Sequence, residues 1–163
     1  MKKQVSLMAL MALGISMLSN TASWAAATAT GAQGQSISIK NTTVKAGSDI
    51  RVTGKSFDET IGIYLAYCVQ PKKGVAPSPC GGGADKSGTQ GVSHWISSNA
   101  PTYGKGLATP FIPGGRFSQK VTVTKKIGKF DCTKVTCAIT VRSDHLHEGD
   151  RSQDLFIPIT ISK

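Results

Sequence analysis

Two groups of side chains in this sequence have the types and spacing for chemistry. Asp144-His145-Leu146-His147-Glu148, with Asp150 close behind, sets two imidazoles two residues apart among carboxylates. On a strand, alternate side chains share a face, so His145 and His147 would both reach one transition metal such as copper or iron. Against this, Glu148-Gly149-Asp150 reads as a turn, and Arg142 and Arg151 stand close enough to pair with the acids. A solvated polar loop tied by local hydrogen bonds is therefore the competing expectation. The second group is aromatic and cationic. Trp95, Tyr103, Lys105 and Arg116 lie in or beside the stretch 70–115, and Lys72 and Lys73 lie between Cys68 and Cys80. If both segments flank one end of the fold, they make a cationic groove with ring-lined walls. Such a groove suits a small, flat, anionic ligand: cations meet its carboxylates and rings supply stacking area, as for haem or another porphyrin. The alternative places Trp95 in the core and the lysines in solvent. Tyr64, Tyr67, Tyr103 and Trp95 are also the candidate one-electron donors.

Other constellations are missing. The sequence has no Gly-x-Ser-x-Gly elbow, no phosphate-cradling loop and no His-Glu-x-x-His. Its carboxylates are few and scattered, so no catalytic residue is assigned. Cys68, Cys80, Cys132 and Cys137 allow three pairings, and proximity favours Cys68–Cys80 with Cys132–Cys137. The spacings match zinc knuckles poorly. With the thiols paired, thiol peroxidase chemistry is excluded, because it needs an accessible thiolate.

The first 25 residues set the compartment. Lys2 and Lys3 precede an apolar run from Val5 to Leu18, and Ser23-Trp24-Ala25 supplies a small-x-small cleavage site. This pattern predicts a secretory signal peptide over 1–25, too short to serve as a membrane span. Its removal would leave 138 of the 163 residues, enough for one domain, and would take away all four methionines and Trp24. The remaining 17 basic and 9 acidic residues give a net charge of about +8. Such a charge favours anionic ligands or envelope surfaces. Only four arginines are present, and no basic arm accompanies stacking aromatics, so specific nucleic-acid binding is not expected. The expected product is a secreted, monomeric protein in an oxidising medium.

The elements that would carry these residues are strands. Residues 26–35 read as a flexible leader. After it, Ile37/Ile39, Ile50/Val52, Ile63/Leu65/Tyr67, Phe117/Val121/Val123, Cys137/Ile139/Val141 and Leu155/Ile157/Ile159/Ile161 alternate with other residues. The segment from Ile61 to Val69 is apolar on both faces, as a central strand would be. Lys120, Lys125, Lys126, Lys129 and Lys134 form a second basic group, read as a wet strand face and turn. Residues 70–115 hold six of the seven prolines, which predicts a long irregular region with one short strand around His94-Trp95-Ile96. The pattern predicts an all-β antiparallel sandwich of about seven strands over 36–163.

Two stretches add a resemblance. Tyr64-Leu65-Ala66-Tyr67-Cys68 with Cys80, and Phe130-Asp131-Cys132-Thr133-Lys134-Val135-Thr136-Cys137, resemble the paired-disulfide pattern of the neocarzinostatin-like family of secreted actinobacterial proteins. That resemblance implies a seven-stranded immunoglobulin-like sandwich with a small-ligand cleft beside it. It does not extend to an enediyne: Gln70 stands where those carriers place a ring, and Val123 to Asp131 is too short for their aromatic hairpin. In size, leader, basic charge and lack of an anchor, the chain is also similar to small secreted antioxidant proteins described as radical oxygenases. This similarity implies scavenging of reactive oxygen or free radicals, with a bound redox cofactor, haem or a transition metal, as the means of turnover. Two other expectations are a noncatalytic module that captures an anionic small ligand such as haem, and a cell-surface or host-surface interaction protein.

Overall fold

The computed structural model describes residues 26–81 and 92–162. The expected leader over 1–25 lies outside them. Twelve strands follow in order: β1 (Ala27–Thr30), β2 (Ser36–Ile39), β3 (Thr43–Val44), β4 (Asp49–Lys55), β5 (Ile63–Val69), β6 (Ser93–Ile96), β7 (Ala108–Thr109), β8 (Phe117–Thr122), β9 (Lys126–Ile127), β10 (Phe130–Asp131), β11 (Cys137–Ser143) and β12 (Leu155–Ile161). They form a four-stranded sheet β1-β2-β4-β8, a six-stranded sheet β3-β12-β11-β5-β6-β7, and a two-stranded ribbon of β9 and β10. The β12–β3 and β6–β7 pairs are parallel, and the long central pairs are antiparallel. The fold is the expected all-β sandwich.

Alternation explains which residues meet in the middle. On β4, Ile50 and Val52 are buried while Asp49, Arg51, Thr53 and Lys55 are exposed. On β5, Ile63, Leu65 and Tyr67 point into the core, and β11 beside it adds Ile139 and Val141. Ile37, Val52 and Val121 meet them from the other sheet. Burying each such aliphatic side chain contributes roughly 1.5–3 kcal/mol, so the core rather than the cross-links carries the fold. The cross-links are Cys68–Cys80 and Cys132–Cys137, the pairing that proximity favours. Among the described residues no cysteine is free, and no helix is long and apolar enough to cross a membrane.

Tyr67 brings a hydroxyl into this core, where its oxygen has no hydrogen-bond partner among the described residues. Burial pushes the phenol from its ordinary 10.0 up to about 12. Between those values the unfolded chain has lost this proton and the folded chain keeps it. Stability is therefore unaffected by Tyr67 below pH 10, then falls by about 1.4 kcal/mol per pH unit as the pH rises toward 12. Tyr67→Phe is expected to remove that share of the alkaline slope. Urea midpoints compared at about pH 9 and about pH 11.5 read it directly.

Two elements differ from the sequence reading. Residues 26–35, read as a flexible leader, contain β1, which pairs along β2 from Ala27↔Ile39 to Thr30↔Ser36. The strand count also exceeds seven. Besides β1, the additional strands β3, β7, β9 and β10 are two residues long, too short for any alternation to show.

Candidate functional site

The register of three neighbouring strands assembles a ring cluster on the outer face of the six-stranded sheet. Side chains alternate along β5, so Tyr64 points away from the face that buries Ile63 and Leu65. Pairing sets Trp95 of β6 and Arg142 of β11 directly opposite Tyr64, on its two sides. The Tyr64 and Trp95 rings are 6.2 Å apart, and the Arg142 guanidinium lies 5.6 Å from the centre of the Tyr64 ring. A short 3-10 turn, Thr102–Gly104, lays Tyr103 over the indole at 6.3 Å with an interplanar angle of 26°.

The fourth ring arrives from the end of β11. Asp144 stops that strand and caps a second 3-10 turn, His145–His147, by accepting from the Leu146 N–H at 3.0 Å. Its backbone N–H donates to the Gly62 carbonyl at 2.8 Å. The Asp144 carboxylate is fully buried and accepts from the Trp95 indole N–H at 2.9 Å. His147 Nδ1 approaches its other oxygen at 3.2 Å. A Cβ at Gly62 would sit 2.0 Å from Asp144 Oδ2, so only glycine leaves room for this carboxylate. The turn brings His145 edge-on to Trp95, 4.9 Å between centres.

His145 ties the two phenols together. Its Nδ1 is 2.5 Å from the Tyr64 hydroxyl and its Nε2 is 2.8 Å from the Tyr103 hydroxyl. Burial, reinforced by the negative charge of Asp144, pushes the Tyr64 phenol above its usual value, while Arg142 pulls it back in part. Tyr64 therefore holds its proton at neutral pH. Tyr103 is 60% exposed. The arrangement has four rings in contact, one buried carboxylate on the indole, and one imidazole between two phenols. Its chemical competence is one-electron donation coupled to a short proton move.

The residues expected at the site are divided by the fold. Trp95 and Tyr103 come together, but they pack on each other and on Tyr64 and His145 rather than facing across an open slot. Lys105 follows the Tyr103 turn and is exposed. Lys72 and Lys73 lie exposed on a turn closed by the Val75 N–H to Lys72 carbonyl bond, within the Cys68–Cys80 loop. Arg116 sits on the Ile112–Arg116 hairpin and donates to the Pro113 carbonyl at 2.9 Å. Among the described residues the cations over rings are Arg142 on Tyr64 and Lys129 on Phe130, neither in the expected set. His145 and His147 occupy a 3-10 turn rather than a strand, with both His145 nitrogens and His147 Nδ1 engaged as above. No group of three or more His, Cys, Asp or Glu poised for a metal occurs among the described residues.

Tyr64 was read only as an electron donor, Asp144 only as an acid beside the two imidazoles and Arg142 only as a partner for such acids; none was placed in the groove expected around Trp95 and Tyr103. Two of the signals were present: Tyr64 has the outer parity of Ala66 and Cys68, and Asp144-His145 follows directly on the last alternating residues of β11. A separate groove of about 850 Å³ lies between the Thr133–Thr136 segment and the end of β12. Its lining includes Lys125 and Lys134 from the second basic group, with Val135 and Pro158.

Compared with known proteins, the chain matches no protein-family profile and no curated protein sequence. Its backbone is similar to the solved structure of macromomycin. The TM-score is 0.50 at 14% sequence identity, over 78% of this chain and 99% of that one. The likeness supports a neocarzinostatin-like fold.

Proposed function

We propose that the chain is an extracellular radical-quenching protein whose ring cluster supplies the electron. The observation that carries this reading is the hydrogen-bonded sequence Tyr64–His145–Tyr103 packed around Trp95. A phenol gives up an electron far more readily when a base takes its proton in the same step, and the imidazole stands where that base is needed. In sum each event is R• + Tyr–OH → RH + Tyr–O•: the phenolic O–H bond breaks, its electron reduces the radical, its proton passes by way of the imidazole to the reduced radical (or to water when the radical is a cation), and the tyrosine is oxidised. An extracellular one-electron reductant of the enediol or thiol class returns the tyrosyl to tyrosine; without one, quenching is stoichiometric. The two disulfides, the absence of methionine after residue 25 and the predicted leader fit an oxidising, extracellular setting.

The test is the rate of decay of a stable coloured radical cation at fixed protein concentration. The double variant Tyr64→Phe/Tyr103→Phe, with Trp95 kept as a slower donor, is expected to react at least about tenfold more slowly than the native chain, below the roughly hundredfold or more that a positioned base contributes because the indole still reacts. Equal rates would remove the cluster from the mechanism.

A small-ligand-binding module is the second reading. It is favoured by the fold likeness and by the groove at Lys125 and Lys134. A flat anionic ligand such as haem would place its carboxylates on those two lysines. Adding haemin should then shift its absorbance, and Lys125→Glu/Lys134→Glu should abolish the shift. An unchanged spectrum with the native chain sinks this reading.

A further inference from the structure

The two phenols on His145 are not equivalent. Tyr103 is 60% exposed, whereas Tyr64 is half-buried among Trp95, His145 and the Arg142 guanidinium. A neutral imidazole carries one N–H and one bare nitrogen. With the proton on Nε2, His145 donates to the Tyr103 oxygen and accepts from the Tyr64 hydroxyl, leaving the Tyr103 hydrogen free to face solvent. With the proton on Nδ1, these roles reverse. The imidazole can therefore change tautomer only if both phenols change role with it.

We infer that the pair is a hydrogen-atom exchange: Tyr103 surrenders its hydrogen atom to an organic peroxyl radical, and His145 moves the deficit to Tyr64, where it is stored. The inference rests on the radical-quenching reading and names its substrate class. In the first step the Tyr103 O–H bond breaks and the O–H bond of a hydroperoxide forms, so ROO• is reduced by one electron and Tyr103 is oxidised by one. In the second, an electron passes from Tyr64 to Tyr103, the Nε2 proton moves onto the Tyr103 oxygen, and the Tyr64 proton moves onto Nδ1. Tyr103 is restored, Tyr64 becomes the tyrosyl, and the imidazole ends as the other tautomer.

One proton and one electron travel together, so no new charge forms beside the buried Asp144. Both phenol rings lie close to the indole, at 6.2 and 6.3 Å, so the electron crosses a short, ring-filled gap. An exposed tyrosyl is lost when it meets a second radical in solution. On Tyr64, packed among rings, it is shielded from that encounter. The exposed phenol is the contact point and the sheltered one the store.

The experiment generates peroxyl radicals from a water-soluble azo initiator in air and follows two quantities. One is peroxyl consumption; the other is the tyrosyl signal in freeze-quenched electron paramagnetic resonance spectra. Circular dichroism confirms that each variant is folded. Tyr103→Phe should slow consumption about tenfold. Tyr64→Phe should give a tyrosyl signal that decays several-fold faster than in the native chain. His145→Gln, which keeps a polar side chain but cannot change tautomer, should shorten the tyrosyl signal as Tyr64→Phe does. A signal in Tyr64→Phe that lasts as long as in the native chain overturns the storage step alone. If the native chain consumes peroxyl radicals no faster than an equal concentration of N-acetyltyrosinamide, the quenching reading itself fails.

Discussion

Asp144→Ala is expected to lower stability by about 2–4 kcal/mol and to dismantle the ring cluster at the same time. The carboxylate is fully buried and holds the Trp95 indole N–H and the Leu146 N–H, and His147 meets it from the same turn. Alanine leaves the indole donor and a helical-turn donor without their acceptor, and each loss alone costs about 1 kcal/mol or more. The turn carrying His145 would then lose its cap, so the imidazole would no longer be pinned between Tyr64 and Tyr103. Asp144→Asn separates the two effects. Its amide has one acceptor oxygen where the carboxylate uses two, so it keeps either the indole or the turn, and about half of the lost stability should return. Urea midpoints measure the first effect. Trp95 emission, free of Trp24 once the leader is removed, reports the second.

Gly115→Ala is expected to cost about 3 kcal/mol or more, from backbone rather than from any functional group. Gly115 has φ +60°, and a Cβ there would lie 2.0 Å from the Phe57 carbonyl oxygen. The same residue accepts from the Phe57 N–H at 3.1 Å and donates to Glu59 at 2.8 Å, so the backbone cannot retreat without breaking both bonds. Phe57 in turn packs against Phe111 and Phe117 at 6.2 and 5.4 Å. The strain therefore passes into the core through Phe57, Phe111 and Phe117, none of which belongs to the ring cluster. Thermal unfolding should show a large fall in midpoint, and a variant that melts like the native chain would contradict this account.

The sequence was legible where a residue's role is set by its neighbours along the chain. Ile50 and Val52, Ile63 and Leu65, or Ile139 and Val141 declare an inner face by alternation, and each pair is buried as read. Cys68 and Cys80, and Cys132 and Cys137, are close enough in the chain for proximity to pair them. The site was legible only in part, because its members meet through register. Nothing local says that Tyr64 stands opposite both Trp95 and Arg142; that follows from how β6 and β11 align on β5. Trp95 and Tyr103 were read as walls of one groove and are neighbours, but as a packed pair. Of the cations expected beside them, Lys72 and Lys73 lie in the Cys68–Cys80 loop and Arg116 on the 112–116 hairpin, neither of which carries a periodic signal, while Lys105 follows the Tyr103 turn. His145 read as part of a polar loop tied by local bonds. It is on such a turn, yet its own two bonds are the long-range ones, to residues 81 and 42 positions away.

The strand found where a flexible leader was expected would give removal of residues 1–25 a structural stake. β1 begins at Ala27, two residues past the expected cleavage point at Ala25, and its Ala27 and Ala29 pack on the core. It is also the margin of the four-stranded sheet, outside β2. A cut placed only a few residues late would delete this margin and bare the backbone donors and acceptors of β2, a ready template for chain-to-chain joining. If the leader is removed where the sequence predicts, the cut would thereby also decide whether the sheet is finished, and the solubility of the product would depend on its accuracy.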